Sequence, residues 1–256
     1  MKTALSKRPS AYLQKMFLEN AWTRYVDKME KKAVVNLWLN NQNNLYNQNI
    51  LDLGMGPGRW SKMFIEMGFR QVTGLDIEPK MVASAKKNIR NSNFNSVVTD
   101  MQKLPFKNNS FNKIFSFRSF KYVKSPNTSL SEIRRVIAPD GSTFIEFPNN
   151  SLPIKLVSWL TFKLMNHLPR YTKNIRWYLE NSRFYQKDEI TKLTQASKLT
   201  LLSLTPLFIL PARPLPTLGG RITWFWICLD KLLSRLLPPE FFARSWVLIA
   251  EKPENK

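Results

Sequence analysis

Between residues 50 and 60 the chain reads ILDLGMGPGRW: an apolar run closing at Leu53, glycines at 54, 56 and 58, and a helix-compatible stretch from Arg59. Glycines at alternate positions let the backbone take positive φ, turn sharply and lie close against a bound molecule. A helix starting there presents free amide donors to the same place. The spacing is GxGxG, not the GxGxxG that seats a pyrophosphate, and no lysine follows as in a triphosphate-cradling loop. Two carboxylates fall further along. Asp76 closes GLD, 22 residues beyond Gly54, the range in which an acidic side chain accepts the hydroxyls of a ribose. Asp100 closes VVTD and has the chemistry to accept a hydrogen bond from an adenine amino group. Either aspartate alone also reads as a helix cap; the ordered set of three strand-end features points to an adenosine-bearing ligand.

These residues must be held by regular elements, and the pattern supplies them. Strands are expected at Ile50 to Leu53, Gln71 to Leu75, Ser96 to Thr99, Lys113 to Phe117 and Ser142 to Phe147, with helices at Arg59 to Met67, Pro79 to Ile89 and Ser125 to Ile137. Alternating strands and helices specify a parallel sheet covered on both faces. Before this core, apolar residues recur at helical spacing from Ser10 to about Leu39; after Pro148 come an apolar-basic stretch Leu152 to Leu168, a helix Lys187 to Ser197, a strand Leu199 to Leu210, an amphipathic helix Ile222 to Leu237 and a strand Ser245 to Ala250. The expected organisation is a helical cap over 1–39, a ligand-binding core over 40–150 and a substrate lid with the last part of the sheet over 151–256.

At the quoted residues the chain is similar to the class I S-adenosylmethionine-dependent methyltransferases, in particular the broad type 11 group of small-molecule and lipid methyltransferases. The matching pieces are LDLGMGPG at 51–58, GLDIEPKMVASAK at 74–86, DMQKLPFKNNSFNKIFS at 100–116 and EIRRVIAPDGSTFIEFPN at 132–149. The resemblance implies a doubly wound, mostly parallel, seven-stranded Rossmann-like sheet and S-adenosylmethionine as cofactor. It implies that Gly54, Gly56 and Gly58 pass under the methionine part, Asp52 buttresses that loop or the cofactor's amino group, and Asp76 binds the ribose. It further implies that Ile77 flanks the adenine, Asp100 and Met101 hold its edge, and Ser116 faces the sulfonium. The chain departs from the family at SFRSFKYV after the fourth strand, where relatives often carry a histidine. A base, if the acceptor needs one, then comes from Tyr122, Tyr178, Tyr185 or Glu180; aromatic residues at such positions also simply pack a lid.

The remaining composition bears on partners. Lys and Arg number 39 against 18 Asp and Glu, a net charge of +21. The excess is spread along the chain, and 24 Lys beside 22 Asn also fits a coding bias. One histidine, His167, and one cysteine, Cys228, do not make a zinc site or an internal disulfide, so a reducing cytoplasmic setting is expected; Cys228, within an apolar run, reads as buried filler. No signal peptide or membrane span is read in the chain. The stretches 152–168 and 222–237 interleave tryptophan with basic residues, which suits the wall of an apolar substrate pocket or an anionic membrane surface. The expected reaction is methyl transfer to a lipid, quinone-like or secondary-metabolite acceptor. The alternatives are an RNA methyltransferase using its basic surface, against which no base-amine NPPY-like signature stands after the fourth strand, and a non-catalytic cofactor-binding subunit.

Overall fold

A computed structural model describes residues 21–40, 44–150, 181–207, 220–236, 238, 240 and 243–253. In chain order these form helix α1 (Ala21–Val34) with a π-helical turn (Val35–Leu39), β1 (Asn49–Leu53), α2 (Arg59–Glu66), β2 (Gln71–Asp76), α3 (Pro79–Asn88), β3 (Phe94–Val98), β4 (Phe111–Ser116), α4 (Pro126–Val136), β5 (Ile137–Pro148), α5 (Lys187–Ala196), β6 (Thr200–Leu207), α6 (Gly220–Leu236) and β7 (Ser245–Glu251). The sheet order is β3-β2-β1-β4-β5-β7-β6. Strands β1 to β5 pair in parallel, and β7 runs antiparallel between β5 and β6. The expected seven-stranded doubly wound sheet is present.

Side chains alternate across the pleat, and both faces of the central strands are buried. Ile50, Phe115, Phe144 and Val247 point into one layer with Trp22, Val26 and Trp38 of the cap and Trp60 and Phe64 of α2. Their neighbours Leu51, Ile114, Ile145 and Leu248 point into the other, with Leu130 and Ile133 of α4 and Ile190 of α5. Phe115 is the hub of the first layer: its ring lies 4.9 Å from Trp60, 5.0 Å from Phe64 and 5.4 Å from Phe144.

Most boundaries fall within two residues of expectation, two strands differ for visible reasons, and one side chain differs in burial. Strand β3 covers Phe94–Val98, not Ser96 to Thr99, and Asp100 heads the turn beyond it, because its carboxylate accepts from the Gln102 backbone N–H (2.9 Å) and side-chain amide (3.0 Å). Strand β5 starts at Ile137, where the α4 helix ends; Ile137 already pairs with Phe111, and the left-handed Asp140 (φ 58°) carries the strand through an irregular register to Ser142. Cys228 is half-buried, not buried, since it lies away from the Asp230 edge of α6. The segment Leu152 to Leu168 with His167, the start of the expected first helix before Ala21, and residues Tyr178 and Glu180 lie outside the described residues.

The cap is tied down by charge. Glu30 on α1 is fully buried and receives Arg59 Nη1 at 2.8 Å, Arg118 Nη2, and Arg244 Nη2 at 3.5 Å, from α2, the loop after β4 and the entrance to β7. Asp27, one turn earlier, takes Arg59 Nε at 2.7 Å. Burial opposes ionisation of Glu30, but the charges of Arg118, Arg59 and Arg244 hold its carboxyl down at about 2. Stability from this group is therefore complete above the ordinary value of 4.5 and lost as pH falls toward 2. Glu30→Gln is expected to lower unfolding free energy by about 3–5 kcal/mol near neutral pH. In denaturant titrations its deficit against the parent should shrink between pH 4.5 and 2; an equal deficit throughout would contradict the charged cluster. Phe115→Ala should cost about 3–5 kcal/mol by emptying the hub, read in the same titrations.

Candidate functional site

Parallel strands deliver their C-terminal ends to one edge, and chain order reverses between β1 and β4, the crevice where such sheets bind ligands. Leu53, Asp76, Val98 and Ser116 end β1 to β4 there. The glycine loop follows β1: Met55 N–H donates to Leu75 O (2.9 Å), so the loop is held against β2, and Gly58, in the left-handed region, caps α2. Gly54 has φ +71°, and a Cβ on it would lie 2.4 Å from Ser119 Cβ. The chain passes too close to the loop after β4 for any side chain. Gly56 has φ +56°, and a Cβ there meets nothing within 4 Å; it faces open space beside Asp76.

Asp76 is the centre of this cradle. One carboxylate oxygen accepts from Gly56 N–H and the other from Glu78 N–H, both at 2.9 Å. The carboxylate is thereby fixed, and each oxygen keeps lone-pair capacity for a ligand hydroxyl. Burial pushes its pKa up, against the two backbone N–H bonds. Next to it the apolar side chain of Ile77 is 67% exposed, an unusual placement that leaves a face for a planar ring. Met101, nearly buried, reaches toward Gly54, its Cε 3.6 Å from the position of a Cβ there. The space at Gly56, the fixed Asp76 carboxylate and the bare Ile77 fit the adenosine and methionine parts of S-adenosylmethionine.

Asp52 and Ser116 sit behind the loop. Asp52 is buried and accepts from Ser61 Oγ at 2.7 Å, joining β1 to α2 beneath the glycines. Burial pushes its carboxyl up to about 7, opposed by the bonds from Ser61. Ser116 is buried, its Oγ 3.4 Å from Leu53 O and 3.0 Å from Ser119 Oγ. Ser119 Oγ in turn donates to Leu53 O at 2.8 Å. Ser119, which the motif reading passed over, is therefore the side chain that meets the glycine loop. Arg118 beside it takes a left-handed φ of 60°, with its N–H on buried Glu146 (3.0 Å), the kind of local strain that collects at ligand sites.

Of the candidate bases, Tyr122 lies at the surface of the same loop, with Lys121 Nζ 5.1 Å from its ring centre. Tyr185 is enclosed against Phe147 at 4.9 Å, and its hydroxyl has no hydrogen-bond partner among the described residues; burial pushes its pKa up to about 12, which suits packing more than proton transfer at neutral pH. Among the described residues no group of three His, Cys, Asp or Glu could hold a metal ion.

Two substitutions separate space from strain. Gly54→Ala should lower both stability and ligand binding, since Ser119 must move. Gly56→Ala carries only the left-handed penalty of about 1–2 kcal/mol. Asp52, with its raised carboxyl, favours the fold below its ordinary 3.8 and loses that contribution as pH rises through about 7. Asp52→Asn should accordingly melt higher than the parent at pH 8 and not at pH 4. Parallel melting curves at both pH values would disprove it.

Residues 51–145 match the model of the methyltransferase domain family. The chain is similar to a malonyl-[acyl-carrier protein] O-methyltransferase of Buchnera aphidicola, 34% identical over 41% of this chain. It is also similar to the ubiquinone/menaquinone biosynthesis C-methyltransferase UbiE of Wigglesworthia glossinidia brevipalpis, 38% identical over 38% of this chain. The chain spans 42% of the length of each of these two relatives. Among solved structures, an S-adenosylmethionine-dependent methyltransferase from Mesorhizobium loti superposes with a TM-score of 0.60 over 87% of this chain and 99% of its own, at 15% identity. Over residues 51–145 the chain is thus similar to the methyltransferase domain family, and the glycine loop and the Asp76 clamp both lie within that segment.

Proposed function

We propose that the protein transfers a methyl group from S-adenosylmethionine to a small apolar or amphiphilic acceptor of the lipid, quinone or secondary-metabolite kind. The observation that carries the cofactor half is the Asp76 carboxylate, held at 2.9 Å by Gly56 N–H and again by Glu78 N–H beside the open face of Gly56. The acceptor half rests on two relatives, one named for O-methylation of malonyl-acyl-carrier protein and one for C-methylation in quinone biosynthesis.

When bound, S-adenosylmethionine supplies an electrophilic methyl on its sulfonium, so the chain's task is to bind, align and exclude water. Asp76 accepts the ribose hydroxyls, and Ile77 covers one face of the adenine. Asp100 and Met101 border its edge. Gly54, Gly56 and Gly58 carry the methionine part on the backbone, with Asp52 bracing the loop from beneath through Ser61. Ser116 and Ser119 line the end of β4 nearest the acceptor side. In-line alignment of this kind can contribute roughly 7–11 kcal/mol. Where the acceptor is a hydroxyl or carbon acid, a proton must leave. Tyr122, at the accessible loop, is then the better placed of the described candidates, while Tyr178 and Glu180 remain to be tested by substitution.

Calorimetry with S-adenosylmethionine tests the cofactor half. Binding by the parent and loss by at least tenfold in Gly56→Arg and Asp76→Ala are expected; no binding, or unchanged binding in both variants, would overturn the assignment. Incubation of extracts with cofactor labelled in its methyl group, followed by separation into lipid, small-molecule and RNA fractions, tests the acceptor. Label is expected in the first two, and label confined to RNA would replace this reading with the RNA one.

A further inference from the structure

Helix α6 packs on the cap. Tyr25 Oη donates to Asp230 Oδ2 at 2.7 Å, and Asp230 is buried. Ile227 lies on the same side, against the core layer that α1 lines. On the opposite side Trp224, Cys228, Leu232 and Leu236 recur every four residues and form one stripe. Trp224 is 69% exposed, Leu232 53% and Leu236 67%. Lys231 and Arg235 are also exposed and border this stripe. Scattered apolar residues on a surface need no explanation, but an aligned row with a tryptophan and a basic border does.

The charges on the two helices are sorted by sign. Every acidic side chain on α1 and α6 is drawn inward: Asp27 to Arg59 and Lys31, Glu30 to the arginine cluster, and Asp230 to Tyr25. On α1, Arg24, Lys28 and Lys32 recur every four residues on one exposed face. The described charges that α1 and α6 turn outward are therefore basic, and on α6 Lys231 and Arg235 stand beside the apolar row. No helix of the described residues is long and apolar enough to cross a membrane, so contact would be lateral.

We propose that the outer side of α6 docks the protein on an anionic lipid surface, α6 lying in the headgroup plane with Trp224, Leu232 and Leu236 inserted and Lys231 and Arg235 on acidic headgroups. A helix with a tryptophan-bearing apolar face and a cationic border has this mode of binding. A phosphate backbone would use the basic residues but leave the apolar row in water. A second copy of the chain would bring two basic borders together. The docking deepens the reading of an amphiphilic acceptor, which it would deliver to the enzyme at its source, but it does not depend on methyl transfer.

The test is flotation of the full chain with phosphatidylcholine vesicles, with and without about one third phosphatidylglycerol, across a salt series. Binding to the anionic vesicles and not to the neutral ones is expected. Lys231→Gln with Arg235→Gln should weaken it by roughly fivefold per charge, and Trp224→Ser with Leu236→Ser should abolish detectable flotation. Melting temperature and S-adenosylmethionine binding are measured on each variant. Both should stay at parental values, which separates failure of docking from failure of the fold or of the cofactor assignment. No binding to anionic vesicles by the parent overturns the proposal. So does binding that survives Trp224→Ser with Leu236→Ser, which would be charge alone. Tighter binding to bulk tRNA than to vesicles, unaffected by those serines, would assign the face to nucleic acid.

Discussion

Glu30 is a carboxylate with no access to water, surrounded by the guanidinium groups of Arg59, Arg118 and Arg244. A buried charge of this kind is tolerable only when its partners are all in place, since removing one leaves the rest uncompensated. Glu30 and these partners stand on four parts of the molecule: the cap, the helix that starts at the glycine loop, the loop after β4, and the turn into β7. Arg59 is the first residue of its helix and Arg118 is next to Ser119, so the same ions that hold the cap also fix both walls of the ligand cradle. The cap is thereby tied to the same two segments that border the proposed cofactor site.

Around that node the loop works by backbone geometry and by two carboxylates kept in different states of burial. Asp52, enclosed and bonded to Ser61, titrates near neutrality and braces the turn. Asp76 faces the open side, its oxygens aligned by two N–H groups. A ligand meeting this surface finds its acceptors already aimed, with little ordering left to do, which is the general advantage of a preorganised site.

Much of this was legible in the residues. Alternation of short apolar strands with helical patterns marked the central sheet, and the glycine spacing with Asp76 marked the turns at its C-terminal edge. The turn at Asp100 was less legible, because an aspartate two residues past a strand looks the same in sequence as one at its end. Ser119 was invisible to motif reading: its importance arises from an approach of 2.4 Å to a missing Cβ, a tertiary fact. Glu30 had a signal that went unused. It interrupts a row of apolar positions at 22, 26 and 34, and a lone carboxylate on a buried stripe requires cationic partners from elsewhere in the chain. Which arginines those would be depends on the folded loops.

The position of β7 has a consequence for how the molecule comes together. It is the last strand of the sheet in chain order, yet it sits between β5 and β6, with ladders to both. Until residues 245–251 insert, β5 has no partner on that side and β6 has nowhere to attach, while Arg244 cannot reach Glu30. The nascent chain must therefore hold an open, partly apolar sheet edge until residues 245–251 have emerged, and closure is a long-range event of the slow kind. A truncation or a rare pause just before this strand would leave an aggregation-prone intermediate, so cellular yield should respond more sharply to changes in this short stretch than its length suggests.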